Sequence, residues 1–139
     1  MTQYQRLISL RDTYPSTTAS CQNLVMVAQD LKRVKSHRTN ASFQLRNIAA
    51  ARFVRALDET VRSAVQETGE TNHERLLKFL ANFFSQFALA LPNWHGVLDE
   101  IVDGLFTHCD GKHSMISRAL ETSGRASILP HVQPMEQRV

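Results

Sequence analysis

The chain has 139 residues, 42% of them hydrophobic and 21% charged, with 5 Gly and 4 Pro. This length suits one domain with a sizeable core, the composition excludes a mainly disordered chain, and so few turn-formers favour a few long elements over many short strands. The net charge of +3 conceals a sorted distribution, with ten Lys/Arg against four Asp/Glu from Met1 to Arg62, then two against seven from Ser63 to Asp110.

Tyr4, Leu7 and Ile8 share one face of a short helix over Thr2 to Thr13, which Tyr14-Pro15 ends. Ser16, Thr17 and Thr18 offer capping oxygens to a second helix, on which Cys21, Leu24, Val25, Ala28, Leu31 and Val34 recur at steps of three and four to about Lys35. The polar stretch Ser36 to Asn40 is a connection, and Ser42 is placed to cap a third helix. From Phe43 to about Gln66, the residues Phe43, Ala50, Phe53, Val54, Leu57, Val61, Ala64 and Val65 fall on one helical face, with Arg52, Arg55, Glu59 and Arg62 opposite.

Thr71-Asn72-His73-Glu74 reads as a capping box that opens a fourth helix. Leu76, Leu77, Phe79, Leu80, Phe83, Phe84, Phe87 and Leu91 make it the central core helix, and Pro92 ends it. Asn93 would cap a fifth, where Trp94, Val97, Leu98, Ile101, Val102, Leu105 and Cys109 repeat almost without interruption. Asp110-Gly111 is a turn, and Met115, Ile116, Ala119 and Leu120 support a last short helix closed by Gly124. The expected fold is therefore all-α, a single-domain bundle of about six antiparallel helices or stacked helical hairpins over residues 1–124. Residues 125–139, with two prolines and no periodicity, read as an extended C-terminal tail.

Cys21 and Cys109 are too few for a disulfide framework, and no stretch is apolar enough for a signal core or a membrane span, so a cytoplasmic or nuclear setting with no membrane contact is expected. No cofactor or metal is expected either. His108, Cys109, Asp110 and His113 are zinc-binding residue types, but Cys109 belongs to the apolar face and the Asp-Gly turn divides the group. Arg125 and His131 match a spacing seen in some helical ribonucleases, yet Pro130 removes the helix that would align them. No phosphate loop, nucleophile elbow or paired-His zinc motif occurs, so the chain does not read as an enzyme and no catalytic residue is assigned.

The charged faces carry what functional signal there is. Lys32, Arg33, Lys35, His37 and Arg38 cluster at one connection and Arg46, Arg52, Arg55 and Arg62 come next on the third helix, while Asp99, Glu100 and Asp103 form an acidic face. Leu45 and Ile48 project toward the basic side, away from the main apolar stripe. Aliphatic residues rimmed by arginine suit the centre of a protein interface, so the first expectation is an adaptor or small regulatory subunit that binds another protein. The second is RNA or DNA binding through phosphate contacts from Lys32, Arg33, Lys35, Arg38, Arg52, Arg55 and Arg62, although Phe43 and Phe53 point inward by spacing and leave no aromatic for base stacking. The opposed faces also suit a homodimer or a head-to-tail assembly. Leu91-Pro92 with Leu98-Asp99-Glu100-Ile101-Val102 resembles a helix-start pattern of the helical repeat domains of translation-regulatory scaffolds, over less than a fifth of the chain. It assigns no residue a role.

Overall fold

The computed structural model describes residues 2–36, 42–91 and 96–123, which form six helices and no strand. These are α1 (Gln3–Thr13), α2 (Pro15–Lys35), α3 (Ser42–Thr68), α4 (His73–Ala90), α5 (Leu98–Cys109) and α6 over residues 115–123. The expected caps at Ser42 and Asn93, the start of the fifth helix at Trp94, and Gly124 with the tail fall outside what is described.

α1 begins with a capping box that residue spacing alone did not place. Thr2 Oγ1 accepts from the Gln5 N–H at 3.1 Å and Gln5 Oε1 accepts from the Thr2 N–H at 2.9 Å. The helix buries no residue completely, and Tyr4, expected on its inward face, is exposed; Leu7 and Leu10 make the contact with the core instead. Only Tyr14 separates α1 from α2, because Pro15 serves as the first helical residue of α2, where its fixed φ fits and no N–H is needed. The expected caps at Ser16, Thr17 and Thr18 are therefore corrected. They lie inside the first turn, and the N-terminal donors of α2 are met from elsewhere in the chain.

α2 and α3 form an antiparallel pair, the most closely associated of the described helices. Ser20 Oγ lies 2.9 Å from Ser63 Oγ, and the Glu67 carboxylate reaches Ser16 and Thr17, so the register is set at two points. Leu24, Ala28 and Leu31 on α2 face Phe53, Leu57, Val61 and Ala64 on α3 in one buried cluster. Two expectations for α3 fail. Phe43 is 69% exposed, and Ala50 is exposed while Ala49 takes the inward place. The register supplies the reason: counted from Ser20 against Ser63, Lys35 at the end of α2 stands opposite Ile48, so α2 does not reach the part of α3 before that point.

Gly69, at φ 66°, turns the chain after α3, a conformation that glycine adopts without the Cβ clash. The expected box at Thr71 is corrected by one residue: Asn72 caps α4, its Oδ1 accepting from the Arg75 N–H at 3.0 Å. Glu70 accepts from the N–H groups of Thr71 and Asn72 at 3.0 and 3.1 Å. α4 is the core helix, as its composition implies, with Leu76, Leu80, Phe84 and Phe87 fully buried. Tyr14 stands edge-on to Phe79 with ring centroids 5.0 Å apart, which docks the α1/α2 corner against the Phe79, Phe83 and Phe87 row.

α5 packs on α2, α3 and α4 through Ile101, Leu105 and Cys109. At Gly104 it comes so close to α3 that a Cβ would lie 2.5 Å from Phe53 Cε2. After the Asp110-Gly111 turn, with Gly111 at φ 100°, Ser114 caps α6 and its hydroxyl lies 2.9 Å from His73 Nε2 at the start of α4. Met115, Ile116 and Ala119 then close the core.

Candidate interaction surface

The basic and acidic segments meet within the molecule, but only in part. Lys35 Nζ lies 3.1 Å from Glu100 Oε2, joining the end of α2 to the first turn of α5. Lys32 donates to the Gly96 carbonyl, and Arg33 pairs with Asp30 on its own helix. On α3, Arg62 pairs with Asp58 at 3.0 Å. Four of the basic residues singled out from the sequence are thus held by internal partners, and Glu100 is turned toward α2 rather than sharing an outward face with Asp99 and Asp103. Arg38 and His37 lie outside the described residues.

The remaining arginines stand differently. Arg52 and Arg55 are exposed and form no ion pair with any described residue. One turn before them, Ile48 is 50% exposed and Leu45 is 54% exposed. Every residue from Phe43 to Ile48 is exposed, so the first two turns of α3 carry three large apolar side chains outside the core. Ile48, Arg52 and Arg55 succeed one another at steps of four and three, which aligns them along one face opposite Phe53. Such a strip can bury aliphatic surface against a partner while the guanidinium groups bind carboxylates at its edge.

α5 has a second outward strip. Asp99, Asp103 and Asp110 are exposed, and Phe106, 55% exposed, lies among them. Sequence reasoning found the carboxylates but passed over Phe106, although its place in the three-four spacing puts it with Asp99 and Asp103 rather than with Ile101 and Leu105. Phe43 was missed for another reason: its spacing is that of a core residue, and only the end of α2 exposes it.

The titratable groups with displaced pKa values lie apart from both strips. Burial pushes the Cys21 thiol well above its ordinary range, and burial together with the nearby Asp58 charge pushes Cys109 up to about 12, partly offset by Arg118. Both thiols are free and buried, conditions that keep them protonated and out of reach. For Glu67, burial acts to raise the value, but hydrogen bonds from the Thr17 hydroxyl and from the Ser16 and Thr17 N–H groups hold the carboxyl below its usual range. Among the described residues no three His, Cys, Asp or Glu side chains converge as a metal site would require, and no helix is long and apolar enough to cross a membrane.

Comparison with protein-family models, with curated proteins and with solved structures finds no match to this chain.

Proposed function

We propose that this chain is a helical interaction module, an adaptor or small regulatory subunit, that binds another protein through the first turns of α3. The observation that carries the reading is the exposure of Leu45 and Ile48 beside two arginines that have no ion-pair partner among the described residues. Leu45 and Ile48 are each about half exposed, so each forgoes about half of the roughly 1.5–3 kcal/mol that full burial gives, which a partner surface would recover. The complementary surface is apolar at its centre and acidic at its edge. On this reading the protein acts by binding, and no residue is assigned a catalytic role. Two free buried thiols suit a reducing cytosolic or nuclear setting.

Affinity capture from lysate, with and without nuclease, tests the assignment. The expected result is a protein partner retained after nuclease, lost with Ile48→Glu, and weakened by Arg52→Glu with Arg55→Glu. An unbiased capture that recovers no partner overturns it.

One observation favours a second reading. Phe43, exposed on the same turns as Arg46, is the stacking aromatic that single-strand nucleic acid binding needs. On this reading binding to mixed RNA or DNA weakens steeply with salt, is abolished by Arg52→Glu with Arg55→Glu, and is reduced by Phe43→Ala. A nuclease-sensitive capture would favour it over the protein-partner reading.

A further inference from the structure

The outward strips of α3 and α5 are matched in length and in chemistry. On α3 the order is Ile48, Arg52, Arg55; on α5 it is Asp99, Asp103, Phe106. Each spans eight residues, seven steps that cover about 10.5 Å of helix at the usual rise. Laid antiparallel, Ile48 meets Phe106, Arg55 meets Asp99 and Arg52 falls within one residue of Asp103, about 1.5 Å along the axis, so an apolar contact at one end is followed by two Arg–carboxylate pairs. Laid parallel, Arg52 would still meet Asp103, but Ile48 would be set against the Asp99 carboxylate and Arg55 against Phe106, so the apolar contact and one charge pairing are lost.

The two strips cannot meet inside one molecule. α3 and α5 pack against each other where Gly104 approaches Phe53, and each strip lies on the side of its helix away from that contact. None of Arg52, Arg55, Asp99 and Asp103 forms an ion pair with a described residue. We propose that the α5 strip of a second copy of this chain docks on the α3 strip, which rests on the reading of α3 as a binding surface and names the occupant. Because the two faces are different and point apart, the contact is heterologous and leaves a free strip at each end, so copies add head to tail rather than closing as a two-fold dimer. Two short helical strips make a small interface, and the association is weak, concentration-dependent and sensitive to salt.

The test is sedimentation of the full chain up to about 0.5 mM, a range suited to small interfaces, at low and high salt. The expected result is a weight-average mass that climbs to roughly twice the monomer value or more at low salt and falls back toward monomer as salt rises. A chain carrying Arg52→Asp with Arg55→Asp, and one carrying Asp99→Arg with Asp103→Arg, should each stay monomeric alone and assemble when mixed. Phe106→Ser removes the apolar contact without altering charge and should lower the mass at every concentration. Circular dichroism establishes that each variant keeps its helices. Wild-type protein that remains monomeric throughout, or swapped chains that fail to associate on mixing although both are folded, would overturn the proposal. Capture of a different protein through Ile48 by a chain that stays monomeric also overturns self-docking, while leaving α3 as a binding surface; failure of both experiments overturns both.

Discussion

The two halves of α3 carry similar proportions of apolar and basic residues and meet opposite fates. From Ala56 to Val65 the inward positions Ala56, Leu57, Thr60, Val61, Ala64 and Val65 are buried against α2 and the rest of the core, and Glu67 then ties the helix end to the first turn of α2. From Phe43 to Ile48 nothing is buried. The main apolar stripe runs through both halves, Phe43 included, while Leu45 and Ile48 lie off it. What differs is the reach of the neighbouring helix, since α2 ends opposite Ile48. A helix's own pattern states which face is apolar, and its neighbours decide how much of that face becomes core; the length left over is available to other molecules.

Truncating both halves breaks the comparison most sharply. Leu57→Ala should cost about 3 kcal/mol, the central value for a fully buried leucine, and lower the melting temperature by roughly 10 °C. Ile48→Ala should stay within about 0.5 kcal/mol of wild type, because its side chain is half in water and alanine is the better helix former. Urea unfolding of the two variants measures both. Equal losses would mean that the first turns of α3 are covered by something in the folded chain, and that the contrast between the halves is false.

The boundary between the halves is marked by Phe53, and Gly104→Ala tests how tightly it is closed. At an exposed helix position this substitution gains about 1 kcal/mol. Here the new Cβ would lie 2.5 Å from Phe53 Cε2, inside a buried contact, so a net loss of about 1–2 kcal/mol is expected. Adding Phe53→Leu should return part of it. A stabilised Gly104→Ala protein would show that α5 can move off α3, and that the buried half begins later than Phe53.

Much of this division was legible from residue spacing. The burial of Leu57, Val61 and Val65, the core role of Phe83, Phe84 and Phe87, and the outward placement of Leu45 and Ile48 all follow from three-four periodicity, a local property. The positions that were misjudged depend on distant parts of the chain. Phe43 has core spacing, and its exposure is set by where α2 stops. The cap on α2 comes from Glu67, some fifty residues away, so nothing near Ser16 announces it. The pairing of Lys35 with Glu100 likewise needs α5 to be laid against α2 before either charge gains a partner. The shift of the α4 cap from Thr71 to Asn72 is smaller, since both residues are good caps and the Glu70 carboxylate already serves the Thr71 N–H.

Glu67 gives the buried half a pH dependence that the exposed half lacks a counterpart for. Its carboxylate serves the two N–H groups and the hydroxyl at the start of α2, and Glu67→Gln should cost about 1 kcal/mol near neutrality, the typical value of a helix cap. Its folded value is lowered, so the stabilisation is complete above the ordinary carboxyl value of the unfolded chain and is lost as pH falls through the folded one. The gap between wild type and Glu67→Gln should therefore narrow from pH 7 toward pH 3, roughly the range over which carboxyl groups titrate. Thermal melts across that range measure it. A gap that stays constant would mean that the carboxylate is not what holds the two helix ends together.

A double substitution in the exposed half, with little expected effect on stability, separates the halves most informatively. Ile48→Ser and Phe43→Ser together should move the unfolding free energy by no more than about 0.5–1 kcal/mol, because Phe43 is largely and Ile48 half in water, so little packing is lost beside the change in helix propensity. The same double substitution should remove most of the affinity for whatever docks on α3, since central apolar residues carry a large share of binding energy in interfaces of this kind. Retained binding with unchanged stability would leave Arg52 and Arg55 as the recognition elements, and the dependence of affinity on salt would then be steep. A large loss of stability would instead show that these side chains are core residues, and the outer half of α3 would have to be counted with the inner one.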